Sequence, residues 1–94
     1  MGTIEKVIKI KAPTDFKSRA ASLLVEKSNR IRSNFYISTE KTDRRVLGGS
    51  KLGILSLNIR RGDIIIFTFI GNDDMIIEHD QKVIYEIIEE IERR

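Results

Sequence analysis

Between Gly62 and Gly71 lies the run Ile64-Ile65-Ile66-Phe67-Thr68-Phe69-Ile70, in which the only polar side chain is a threonine. A strand with one wet face alternates apolar and polar residues; this one does not, so it is too apolar for a sheet edge and predicts a central strand. Its neighbours can be read elsewhere in the chain. Ile4, Ile8 and Ile10 alternate with Glu5, Lys9 and Lys11, with Lys6 and Val7 as exceptions, which predicts a half-buried strand. Phe35 and Ile37 alternate with Tyr36 and Ser38, and beyond a polar turn at Glu40 to Asp43 the segment Arg44-Arg45-Val46-Leu47 completes a hairpin closed by Gly48 and Gly49.

Helical spacing fills the gaps. After Pro13, Ser18 is placed to cap a helix over about Ser18 to Arg30, with Ala20, Ala21, Leu24, Val25 and Ile31 as its apolar stripe. Ser50 can cap a short helix reaching about Leu57, and Gly71-Asn72-Asp73 opens a long one whose Ile77, Val83, Ile84, Ile87, Ile88 and Ile91 share a face. The order β-α-β-β-α-β-α, without repeat or linker, predicts one α+β domain over residues 1–94, a sheet layered against helices.

With 94 residues the domain is too small for a cleft between lobes. The absence of cysteine excludes disulfides and thiolate zinc sites, and one histidine leaves little for any metal, so neither metal nor cofactor is expected. No export signal or apolar run of about 18 residues is present, so no membrane insertion is expected and the cytoplasm is the expected location. A net charge of +3, with 33% of residues charged, describes a mildly basic, solvated surface.

Several candidate sites read better as surface. His79, between Glu78 and Asp80, has no second ligand at helical spacing, and Glu86, Glu89, Glu90 and Glu92 form the outer face of the last helix. No general acid and base pair emerges, so no enzyme activity is expected. The arginines at 30, 32, 44, 45, 60 and 61 are dispersed among acids, with only Phe35 and Tyr36 as stacking platforms, which ranks nucleic-acid binding third. Gly48, Gly49 and Gly53 lack the order of a Walker loop. Lys17 and Arg19 sit where a helix gathers unpaired N–H groups, and two readings stand: an anion trap completed by Ser18, or two solvated cations.

The stretch Ser50-Lys51-Leu52-Gly53-Ile54-Leu55-Ser56-Leu57, followed by Arg61-Gly62-Asp63 and an apolar strand ending in Gly71-Asn72-Asp73-Asp74, resembles the regulatory-serine region and fourth strand of HPr, the small histidine phosphocarrier of the bacterial sugar phosphotransferase system. The resemblance spans nearly the whole chain. It implies an open-faced β-sandwich, a four-stranded antiparallel sheet with helices on one face. Family members read Gly-Ile/Leu-His-Ala-Arg-Pro-Ala at the start of the first helix, where this chain has Asp15-Phe16-Lys17-Ser18-Arg19-Ala20-Ala21. Arg19 and Ala21 match; the glycine has become Asp15, the histidine Lys17, the alanine Ser18 and the proline Ala20.

An imidazole can accept a phosphoryl group near neutral pH and pass it on, whereas a lysine ammonium is a poor nucleophile and a serine ester is too stable to recharge a transporter. The resemblance therefore implies a relative without histidine carrier chemistry. In such relatives the serine corresponding to Ser50 is phosphorylated by an ATP-dependent kinase, and the product is a corepressor for a transcription regulator. Leu52 and Leu55 remain as apolar contacts, while Lys51 replaces a usually apolar docking residue. The leading reading is a regulatory or interaction module whose partners are phosphotransferase components, a serine kinase or a transcription regulator; the alternative is a sugar-uptake phosphocarrier using another acceptor.

Overall fold

A computed structural model describes residues 2–93. The strands are β1 (Ile4–Lys11), β2 (Asn34–Thr39), β3 (Thr42–Leu47) and β4 (Ile64–Gly71), and the helices α1 (Ser18–Lys27), α2 (Lys51–Ser56) and α3 (Asp74–Arg93). A 3-10 turn over Ser28–Arg30 extends α1 to its expected end. The strands form one antiparallel sheet in the order β1-β4-β2-β3, so the apolar run does occupy a central strand, between β1 and β2.

The pleat sorts the side chains. Ile65, Phe67 and Phe69 of β4, with Phe35 and Ile37 of β2, are buried on the helix-covered face, where they meet Leu24 of α1, Ile54 of α2 and Ile84 and Ile87 of α3. Phe35 stacks on Phe69 with ring centroids 6.0 Å apart. Gly48 lies against the Phe35 ring: a Cβ there would overlap it, so the position accepts no side chain without moving the core. Long helix α3 is anchored by Asp73, whose Oδ1 accepts from the Met75 amide at 2.9 Å.

Two local expectations are corrected. Ser18 is the first helical residue rather than the cap; Lys17, with extended backbone at φ −91° and ψ −162°, holds the cap position and provides no side-chain cap bond. The hairpin turn is also tighter than Glu40 to Asp43. Strand structure resumes at Thr42, because the Thr39–Thr42 pair closes the ladder around Glu40 and Lys41, with an irregularity in register at Ser38/Thr39.

Candidate functional site

The start of α1 is fastened from below. The Phe16 ring is buried, its amide donates to the Ile59 carbonyl at 2.9 Å, and the Asp15 carboxylate accepts from the Arg61 amide at 2.7 Å. Asp15 is thereby committed to a loop rather than free to oppose Lys17. Lys17, Ser18 and Arg19 are all exposed. The first turn of α1 has no acidic residue, so its amide dipoles and both cations act in the same sense. Lys17 and Arg19 border a groove of about 500 Å³ that Glu26 and Glu92 also line, so the positive potential is confined to one end of it.

The loop that receives Phe16 and Asp15 is itself clamped. Lys41, at the hairpin tip, donates through Nζ to the Asn58 carbonyl and pairs with Asp63, both at 2.6 Å. Asp63 also accepts from the Arg60 amide at 2.8 Å. The hydrogen bond from Lys41, then that from the Arg60 backbone, hold the Asp63 carboxyl below its ordinary range. Asn58 takes a positive φ of 50° in this bend.

Ser50 caps α2 as its sequence suggests. Its Oγ accepts from the Gly53 amide at 3.0 Å, and its carbonyl takes the Ile54 amide at 2.9 Å. Gly53 permits this fit, since a Cβ would stand 3.0 Å from the Val46 Cβ and 3.1 Å from the Ser50 Oγ. Ile54 turns into the core, Lys51 and Leu55 are half-buried, and Leu52 projects into solvent, 81% exposed. The two candidate regions are joined: Lys17 and Leu55 line one depression of about 220 Å³, with Asp15, Asn58 and Arg60 completing it. Distant in sequence, the start of α1 and Leu55 of α2 meet in this depression, while Ser50, Lys51 and Leu52 lie outside its lining.

Other polar side chains are already engaged. Arg44 donates to the Ser56 Oγ at 2.8 Å, Arg30 pairs with Glu86 at 3.0 Å, and the Arg45 guanidinium lies 4.1 Å over the Tyr36 ring. Among the described residues no group of three or more His, Cys, Asp or Glu side chains could hold a metal ion, and no helix is long and apolar enough to cross a membrane.

Sequence reasoning missed Asp80. Fully buried on α3, it accepts from the Arg32 amide at 3.1 Å, from the Ser33 amide at 2.7 Å and from the Ser33 hydroxyl, and lies 2.9 Å from His79 Nδ1. Burial alone raises its pKa, but the Ser33 side-chain and backbone bonds, with those from His79 and Arg32, outweigh burial and leave it lowered. His79 thus has a partner, though it remains half exposed. An acid beside a histidine in a charged helix carries no local signal of burial; the clue was its place on the Ile77, Ile84 and Ile87 face.

Residues 4–84 match the family described as the PTS HPr component phosphorylation site. The HPr-like protein Crh of Halalkalibacterium halodurans is 35% identical over 71 residues, which cover 76% of this chain and 82% of Crh. Among solved structures, HPr-C-His from Thermoanaerobacter tengcongensis aligns over 97% of both chains with a TM-score of 0.70 and 27% identity. A phosphocarrier protein HPr from Bacillus anthracis aligns over 88% of this chain and 98% of its own, with a TM-score of 0.63 and, at 24% identity, likeness of fold. The sheet order, the element order and these matches agree: the chain belongs to the HPr family of the phosphotransferase system.

Proposed function

We propose that this chain is a regulatory or interaction module of the HPr family that does not carry phosphate on a histidine. The observation that carries the reading is the depression shared by the start of α1 and Leu55 of α2, which is lined by Lys17 and by no histidine. The sole histidine, His79, lies thirteen residues before Glu92 on α3, and Glu92 lines the groove beside Lys17. At 1.5 Å per helical residue that separation is about 20 Å, too far for His79 to serve as acceptor at the same surface.

Ser50, at the cap of α2, is the position at which the neighbouring surface around Leu52 would be switched. Its Oγ is half-buried at a helix cap, and a phosphate there, of about −1.5 to −2 charge, would face the favourable end of the α2 dipole while changing the sign of the surface beside Leu52. Partners that dock through Leu52 and Leu55 would then read the modification as a change of charge at the edge of an apolar contact.

Incubation with phosphoenolpyruvate and Enzyme I, followed by intact mass measurement, tests the first half. We expect no mass increase for the chain as it stands, and for Lys17→His labelling well below that of an ordinary HPr, because Asp15 and Phe16 shape the approach and Ala20 lacks the rigidity of proline. Stoichiometric labelling of the unmodified chain would overturn the reading in favour of a carrier with another acceptor. Pull-down with and without Ser50→Asp tests the second half; a partner set indifferent to the substitution reduces Ser50 to a helix cap.

A further inference from the structure

Residues 58 to 63 lead from the end of α2 to β4, and the chain bends at both ends of this loop, where Asn58 and Gly62 take positive φ values of 50° and 93°. Between the bends Ile59 is buried. On one side the loop carries the segment that leads into α1. The Asp63 carbonyl accepts from the Ala12 amide at 2.8 Å, the Ile59 carbonyl from the Phe16 amide at 2.9 Å, and the Gly62 amide donates to the Ala12 carbonyl at 2.9 Å, beside the bond from the Arg61 amide to Asp15. On the other side one side chain closes its mouth. Lys41 Nζ reaches the Asn58 carbonyl and the Asp63 carboxylate, both at 2.6 Å, and so ties the first residue of the loop to the last.

We propose that Lys41 is a positioning residue for the start of α1: from the hairpin tip it holds the 58–63 loop closed, and the loop in turn holds Ala12, Asp15 and Phe16. Asn58, Ile59 and Arg60 of this loop line the depression that Lys17 and Leu55 share, so the same strap fixes one wall of it. Lys41 does not line the depression. Among the described residues it makes no side-chain hydrogen bond or ion pair to the Ala12 to Lys17 segment, so its effect there passes through the loop. This deepens the reading of that depression as a docking surface and rests on it for its consequence: the surface is shaped from a turn that lies outside it.

The loop's own bonds do not replace the strap. The Asp63 amide donates to the Arg60 carbonyl and the Asp63 carboxylate accepts from the Arg60 amide, which joins Arg60 to Asp63 and leaves the Asn58 end to Lys41. The left-handed backbone at Asn58 is sparsely populated for a residue with a side chain, and the bond from Lys41 holds its carbonyl in that orientation. Solvent weakens the strap less than its neighbour. The Lys41 and Asp63 side chains are 40% and 25% exposed, against 58% and 49% for the Lys9–Glu40 pair at the same hairpin, so the second pair serves as a control for surface charge.

Native-state amide exchange of the full chain reads the strap directly, because the amides of the buried residues Ala12 and Phe16 donate to loop carbonyls. Lys41→Met keeps the length of the side chain and removes both bonds. We expect exchange at Ala12 and Phe16 to quicken about tenfold, the scale of a charge-assisted bond at a partly exposed site, while Ile66 and Phe67 in β4 change less than about twofold. Lys41→Arg, a cation with the same two acceptors in reach, should restore most of the protection. Asp63→Asn added to Lys41→Met should quicken the two amides little further, since the strap is already gone. Lys9→Met, the control, should leave them unchanged. No change at Phe16, equal acceleration in β4, or the same acceleration in Lys9→Met would each overturn the proposal. The measurement involves no partner, kinase or phosphoryl donor, so its failure leaves the regulatory reading standing, and failure of that reading leaves the strap.

Discussion

Removing the Asp80 carboxylate should cost more stability than any other single change to a polar side chain described above. The Asp80→Ala variant leaves the Arg32 amide, the Ser33 amide and the Ser33 hydroxyl facing a buried space without their acceptor. At about 1 to 3 kcal/mol for each donor left unsatisfied, and with partial rescue by water at this part-buried site, the loss is about 3 to 5 kcal/mol. For a domain of this size each kcal/mol corresponds to about 4 to 8 °C, so Tm should fall by at least about 12 °C. The Asp80→Asn variant keeps the shape and one acceptor oxygen and should cost about 1 to 2 kcal/mol.

The carboxylate also gives this loss a pH signature. Its folded pKa lies below the ordinary 3.8, so the ionised form is favoured by folding. That contribution is complete above the unfolded value and disappears as pH falls from about 4 through the lower, folded value. Urea unfolding of the wild type and Asp80→Asn between pH 7 and pH 2.5 measures this directly. The stability gap between them should stay constant down to about pH 4.5 and then narrow. A gap that does not change with pH, or an Asp80→Ala cost under about 1 kcal/mol, would refute the assignment of Asp80 as the charged anchor of the Arg32–Ser33 segment.

Three further outcomes are expected. Ser50→Ala should cost about 0.5 to 2 kcal/mol in chemical denaturation, whereas Ser50→Asp, also a good cap, should change stability little. Gly48→Ala should destabilise by about 1 to 3 kcal/mol and shift the Phe35 and Phe69 ring resonances, since the new methyl overlaps the Phe35 ring; unchanged ring shifts would contradict the close approach. Sulfate or phosphate titration should move the amides of Ser18, Arg19 and Ala20 and raise Tm, and Lys17→Ala with Arg19→Ala should lose both effects; equal shifts in the double variant would leave the two cations as solvated charge.

The centre of the sheet was the most legible part of the chain, because a strand without alternation has few places to go. The helices followed from their stripes, α3 most clearly, since six of its branched residues share one face. Cap positions were less legible. Ser18 has the right chemistry for an N-cap, but Phe16 must reach the core below Ile59, and that burial sets the chain direction so that Lys17 turns the corner. Asp15 and Asp80 were illegible for a common reason: each is satisfied by backbone amides from a segment 46 to 48 residues away, and no local pattern encodes a partner that only the tertiary fold delivers. The open face was half legible, since the isoleucines of β4 were visible and the side of the sheet left uncovered was not.

The strand order also constrains the sequence of events by which the chain is made. Neither β1 nor β2 pairs with the other; both pair with β4, which begins at residue 64. At about 5 to 20 residues per second, the 52 residues between β1 and β4 emerge over roughly 3 to 10 seconds with the sheet lacking its middle. Until then only the β2–β3 hairpin has its ladder partner, and β1 waits with both edges open. Over that interval β1 and the outer edge of the hairpin wait as unpaired flanks, and the arrival of one apolar segment closes two ladders at once.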